Sequence, residues 1–420
     1  SLRWLTRHVD RVGAGVVHMA DPRFGWRPGR DIANALDAAI AYAYANRIGT
    51  VELPGGLLIC SREIVLPAQV DVGGFIPGIK VRGQGRECTI VYFYNQTSGF
   101  VLQGRNSEGG VYYFGGGLES MSIVGVQFGP SPGGTYGIIP NECIFCSFRD
   151  LYVRGFNGHG VLLTVGRGSD GVWHKENGAG NQDLYFDNCH IQVNRGGGVL
   201  CHNVQQSTWV DCKVNQNSGN GWDITNCNVL KIIGGIYQNE GQAMRCFKRT
   251  ENLPPIGQPA SELADKLSVN LTIDGEFYVE QSDAGLPLFD FEDPTTGSEV
   301  NIIGGSVFQG GSSTTPCFRL EGNYAAVFIG KIRAVGWLKH IQAVSLAEFT
   351  GIGLQITPSL YDFDAVSAAN ATWIGRGGMN VGAGAPTADR AEFGKPVQFP
   401  SMTTTQRDAL SPANGWTIYN

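Results

Sequence analysis

The sequence predicts an all-β solenoid, a parallel β-helix of stacked coils that follows a single α-helix near the N-terminus. Three observations carry this prediction. A short motif recurs at a near-constant step from about residue 120, the segments between copies are β-branched and glycine-rich, and only 16% of the chain is charged. At 420 residues the chain exceeds a typical globular domain, so it is either two domains or one elongated repetitive one. Glycine, at 60 residues, is about twice its average share. A chain rich in Gly, Asn, Val and Ile suits strands and turns better than helices.

Taken in order, residues 1–30 read as a lead-in. A helix is expected over Asp31–Asn46, with Ile32, Leu36, Ile40 and Ala43 on one face, Asp31 as N-cap and Gly49 closing it. The strand Thr50-Val51-Glu52-Leu53 follows and is broken by Pro54-Gly55-Gly56. The repeat then appears as Phe186-Asp187-Asn188-Cys189-His190-Ile191-Gln192, Val210-Asp211-Cys212-Lys213-Val214-Asn215 and Ile233-Gly234-Gly235-Ile236-Tyr237. Later copies centre on Phe277, Val307, Ile332 and Leu354. The second apolar position advances by 23, 22, 41, 30, 25 and 22 residues, which reads as one coil per repeat with loops inserted in some coils. A coil that short cannot bury its own apolar face, so coils must stack.

Asn194, Asn217 and Asn239 each lie three residues beyond that position. Stacking would place their amides in a ladder about 4.8 Å apart. Asp187, Asp211 and Asp274 share a column with Gly234, Gly304, Gly330 and Gly351, which points to a tight corner with left-handed backbone. Of the ten cysteines, Cys189, Cys201, Cys212, Cys227 and Cys246 fall in strand-like stretches, where free thiols act as small buried hydrophobes. Cys143 and Cys146 form one C-x-x-C without a second pair, a weak zinc signal. No metal or cofactor is expected. The net charge of −6 argues against a nucleic-acid partner, and no stretch is apolar enough to insert in a membrane.

The run Asp31–Val91, with its Ala-rich helix, Thr-Val-Glu-Leu-Pro-Gly-Gly strand and Val-Arg-Gly-Gln-Gly-Arg turn, resembles the N-terminal cap of pectate-lyase-like β-helices. That family includes phage tailspikes and polysaccharide depolymerases. The stretch Pro400–Leu410, continuing to Gly415-Trp416, is similar to a segment near the C-termini of phage tail proteins. The resemblance implies a right-handed parallel β-helix over residues 31–370, with residues 371–420 running toward a missing or minimal C-terminal part. It also implies a homotrimer in a virion tail, assembled in the host cytoplasm and acting on a bacterial surface polysaccharide (capsule, exopolysaccharide or O-antigen).

Strand alternation would turn two lines of residues outward. One reads Tyr152, His190, Lys213, Gly235, Glu276, Ser306, Lys331; the other reads Arg154, Gln192, Asn215, Tyr237, Tyr278, Phe308, Arg333. Aromatic rings pack on sugar C–H faces and planar polar groups bind hydroxyls, so Tyr237, Tyr278, His190, Lys213, Asn215, Gln192, Arg195 and Phe308 are the candidate sugar contacts. The alternative is a generic polar sheet face. Glycoside hydrolysis needs a neutral acid and an ionised partner about 5 to 10 Å apart. Glu240 and Glu280 fall at similar places in successive recognisable coils, with Glu276 and Asp283 as substitutes. Solvated turn carboxylates are the competing reading.

Two other readings stay open. A lyase would eliminate across a uronate, with His190, Lys213, Arg195 and Tyr237 as possible base and cations. A non-catalytic receptor-binding spike would bind without cutting. Gly158-His159-Gly160 superficially matches a polygalacturonase motif, but the paired aspartates expected one coil upstream are missing, so His159 is not assigned a catalytic role.

Overall fold

The computed structural model describes residues 13–381, apart from 72–73, 105–111, 127–134, 165–179, 240, 242, 247–268, 282–285, 292–297, 304–305, 322–323, 331–332, 345–347 and 364–369. Every described strand pairing is parallel except the short hairpin Gln69–Asp71 with Gly74–Ile76. Each coil contributes to three sheet faces. Face A holds Leu184–Asp187 and residues 207–210, 230–233 and 271–274. Face B holds residues 151–154, His190–Gln192, Lys213–Asn215 and residues 236–238 and 278–280. Face C holds His159–Leu163, residues 197–204 and 220–227, Met244–Cys246 and Phe289–Phe291. The strand Asn220–Asn239 passes through all three faces. The expected coil stack is therefore the architecture, and the parallel pairing runs from Gly13–His18, inside the expected lead-in, to Asn370–Val381.

The helix, α1, spans Ala33–Ala45 and buries Ala33, Ala35, Leu36, Ala39, Ile40 and Ala43 against the first coils. Small residues on that face let the helix lie close over the core end. Asp31 acts one residue earlier than expected. Its carboxylate accepts from Ala33 N (2.9 Å) and Ser61 N (3.3 Å), while Ile32 takes the cap position with helical backbone. Gly49 does not close the helix. Asn46 does, since its backbone and side-chain amides both donate to Tyr42 O (3.0 and 2.8 Å), and Arg47 turns left-handed at φ 54°. Gly49 lies inside the strand Ile48–Glu52.

The interior is a set of stacked columns. On face A, Phe148, Phe186 and Trp209 stack at 4.4 and 3.6 Å, and Trp209 meets Trp222 of face C edge-on at 4.7 Å. Aromatic stacking across coils adds to the burial that holds each coil on the next. Cys189, Cys201, Cys212 and Cys227 are buried free thiols, as their sequence setting implied. Cys143 and Cys146 are also buried, with their thiols near the carbonyls of Leu102 and Gly115. Among the described residues no helix is long and apolar enough to cross a membrane.

The asparagine ladder forms at the corner between faces B and C. Asn194 Nδ2 donates to Asn217 Oδ1 (3.1 Å), and Asn217 Nδ2 to Asn239 Oδ1 (2.9 Å), all three side chains being buried. Each Oδ1 also accepts the main-chain N–H of the preceding rung, so a buried turn satisfies its own polar groups. The corner between faces A and B is left-handed at Asp150, Asn188, Asp211, Gly234 and Gly275, with φ from 49° to 86°. Asp211 sits in that corner as expected. Asp187 and Asp274 do not, since they pair in the preceding column with Val210 and Ile233.

The register departs from the sequence reading after Val214. Ile191 stacks on Val214 as expected, but Val214 then pairs with Tyr237 rather than Ile236, and Tyr237 with Val279 rather than Phe277. Tyr237 is 3% exposed and its hydroxyl donates to Gly234 O at 2.8 Å. The cause is local. Gly235 stands where Cys189 and Cys212 stand in earlier coils, and a Cβ there would come 3.0 Å from the Tyr237 hydroxyl. The missing side chain leaves the room that the ring fills.

Candidate functional site

The corrected register rebuilds face B from two backbone columns. One contains Tyr152, His190, Lys213, Ile236, Tyr278 and Ser306; the other contains Arg154, Gln192, Asn215, Gln238 and Glu280. Tyr152 is their organising group. Its ring meets His190 edge-on at 6.4 Å, the Arg154 guanidinium lies 5.1 Å from its centroid, and Gln192 donates to its hydroxyl. One aromatic ring is thus framed by a cation, an amide and an imidazole, a set suited to a sugar ring with its hydroxyls.

His190 is electrostatically unusual. Partial burial, then the nearby charges of Arg86 and Lys213, pull its pKa down to about 4. The imidazole is therefore neutral over the ordinary pH range and can accept a hydrogen bond. Arg86 reaches this place from the turn after the strand Lys80–Arg82, with Nε 3.5 Å from Asp150 Oδ1. Asp150 also accepts from Asn188 Nδ2 (3.3 Å). The Asn215 side-chain oxygen is shielded and has no partner among the described residues.

Of the expected sugar contacts, His190, Lys213, Gln192 and Asn215 come together on face B, half-buried. Arg195 is exposed just past the ladder, at the B–C corner. Tyr237 is removed from the set, because it packs in the core. Tyr278 belongs to the His190 column, two coils below Lys213, instead of the line first drawn for it. Phe308 lies on the strand Ser306–Glu321 opposite Val335, and the described structure fixes its backbone alone.

The carboxylates are rearranged too. Glu280 pairs with Gln238, two residues before Glu240, so it continues the Gln192–Asn215 column. Glu276 does not join the His190 column; it falls in the register shift between Ile233 and Gly235 of the paired strand. Glu240 and Asp283 lie outside the described residues, as do most of the loops 164–181 and 247–266 in which specificity was expected to reside.

Face C holds a polar cluster that the sequence reading passed over. His159 Nε2 lies 2.9 Å from Asp223 Oδ2, and Asn220 Nδ2 donates to Asp223 Oδ1 at 2.8 Å. The pair spans two coils, since His159 pairs with Gly197 and Gly197 with Asn220. Gly197 makes this possible. Its φ is 142°, and a Cβ there would sit 2.7 Å from the His159 ring. The signal in sequence was a glycine between two polar residues of one column, readable only once the register is known. Further along the face, Arg319 forms a two-pronged ion pair with buried Asp290 (2.6 and 2.8 Å).

No protein-family model and no curated protein matches the chain. Solved structures do match it. One is ORF18 of Geobacillus virus E2, with a TM-score of 0.56 at 14% identity over 84% of this chain. The chain spans 64% of that protein's length. Another is the Agl-KA catalytic domain, with a TM-score of 0.52 and 13% identity, covering 90% of this chain and 67% of that one. The A-module of the Azotobacter vinelandii mannuronan C-5 epimerase AlgE6 matches with a TM-score of 0.51 at 13% identity, over 90% of this chain and all of the module. At such identities the likeness is one of fold, and this chain is a parallel β-helix similar to those that carry viral proteins and carbohydrate-active enzymes.

Proposed function

We propose that this protein is a phage tail depolymerase that lays a bacterial surface polysaccharide along face B and hydrolyses its glycosidic bonds. The observation that carries the reading is the two-column ribbon itself. Tyr152, His190 and Lys213 run beside Arg154, Gln192 and Asn215 on consecutive coils, and the second column leads to Glu280. A ribbon that repeats every coil matches a ligand that repeats every sugar. The viral match and the match to an enzyme named for acting on mannuronan support the same direction, as does the resemblance of the N-terminal cap.

In this reading Glu280 is one carboxylate of the hydrolytic pair and Glu240 the other, with Glu276 and Asp283 as reserves. One must stay protonated to give its proton to the leaving oxygen while the other stays ionised. The working unit is a homotrimer on the virion tail. Incubating the full chain with capsular, exopolysaccharide and O-antigen preparations, and assaying reducing ends, tests it. Glu280→Gln is expected to lower the rate by about 100-fold or more with an unchanged circular dichroism spectrum. Wild-type rates in both Glu280→Gln and Glu240→Gln would overturn the assignment.

One observation favours a second reading, β-elimination. His190 lies beside two cations suited to neutralise a uronate carboxylate, and seating that anion would raise the imidazole pKa from about 4 toward that of an effective base. Products with the ultraviolet absorbance of unsaturated uronates would replace hydrolysis with elimination. Binding with no fragments under any condition would make the protein a receptor-binding spike.

A further inference from the structure

The Arg86 guanidinium is only partly used. Its Nε faces Asp150, whereas Nη1 is shielded from solvent and has no hydrogen-bond partner among the described residues. A shielded N–H on a fixed positive charge is costly to leave without an acceptor. The residue is nonetheless held firmly in place. Ser122 donates to the Arg86 carbonyl, and Gly85 N donates to Ser120 O at 2.9 Å, so the turn is tied to the next coil. From there the side chain reaches two coils on to Asp150, at the corner that opens the Tyr152 strand of face B, beside the head of the Tyr152–His190–Lys213 column. Asp150 does not consume the site, because it lies at the A–B corner, is shared with Asn188 and meets Arg86 only at 3.5 Å.

We infer that the partly exposed Arg86 guanidinium, with the Lys213 ammonium across His190, forms a subsite for an anionic substituent on a sugar. This rests on the polysaccharide reading of face B and narrows its substrate class from any glycan to an acidic one. A planar guanidinium edge and a flexible ammonium on either side of a neutral imidazole can grip an oxyanion without forcing a proton onto the ring. A sugar carboxylate and a sugar phosphate share this chemistry.

The test uses the full chain with histidines isotopically labelled, following the His190 resonance by NMR during titration with glucuronate, inorganic phosphate or glucose. Burial and then the charges of Arg86 and Lys213 hold the His190 pKa down, so an anion that offsets those charges should raise it saturably, and glucose should not. Saturation by glucuronate alone assigns a carboxylate, and by phosphate alone a phosphate substituent. Arg86→Gln should weaken the saturable response by about tenfold or more. Should that variant misfold, Arg86→Lys, which keeps the charge and loses the planar edge, should weaken it by several-fold.

A response as strong in Arg86→Gln as in the wild type, or no saturable response to either anion, would overturn the subsite. The reducing-end assay separates this outcome from failure of the depolymerase reading. Anion binding without cleavage sinks the latter alone, and cleavage without anion binding sinks the former alone.

Discussion

Two histidines on adjacent faces of neighbouring coils live in opposite electrical surroundings. On face B, partial burial and then the charges of Arg86 and Lys213 keep His190 neutral. On face C, His159 leans over an empty glycine position to meet Asp223, itself held by Asn220. The fold treats both strands alike, so the difference comes from which residue the neighbouring coil places opposite. A solenoid lets each face be tuned column by column, and face B is tuned to leave charges available where face C pairs them internally.

The comparison can be broken first at Gly197. Gly197→Val puts a branched side chain at φ 142° and into the His159 ring, and is expected to cost about 3 kcal/mol. Urea unfolding would measure this; an unchanged midpoint would mean that the His159–Asp223 pair does not span the coils as described. Asp223→Asn should cost less, about 1 to 2 kcal/mol, since it weakens a largely shielded pair without adding bulk. Neither change should move the His190 titration on face B.

Acid should sharpen the contrast from the other side. The His190 pKa is about 4 in the folded chain, against an ordinary value near 6.5. Between those values the unfolded chain binds the proton and the folded chain does not. Stability should therefore fall as pH drops from about 6.5 to about 4 and level off below, by about 1 kcal/mol once solvent screening of this half-exposed group is allowed for. In His190→Gln that segment of the stability–pH curve should flatten, and a curve identical to wild type would reject the assignment. The smallest effect separates the two cations. Arg86→Gln should raise the His190 pKa more than Lys213→Gln does, because Arg86 contributes the larger share of the depression, and NMR titration of the two variants would reveal a reversed order.

Much of face B was legible in advance because its cause is periodic. The steps from Ile191 to Val214 and from Asn194 to Asn217 to Asn239 follow from one coil per repeat, and His190, Lys213, Gln192 and Asn215 fall outward by alternation. The reading failed at Ile236 because an isoleucine looks more like core than a tyrosine. Burying Tyr237 required a glycine at 235 to vacate space and the Gly234 carbonyl to take the hydroxyl, and both are three-dimensional facts. That one-residue slip reversed Tyr237 from groove to core, and the later copies centred on 277, 332 and 354 slipped by two, to Val279, Ala334 and Ile356.

By itself the sequence determined that short coils stack in parallel, that buried amides line one corner and that a helix closes the first coils. Those outcomes depend on composition, on period and on the need of each coil for a neighbour. Only the tertiary structure decided which side chains meet. His159 and Asp223 are 64 residues apart, and Arg86 meets Asp150 two coils further on. Contacts of that kind depend on the exact width of every intervening corner, which a single glycine can change.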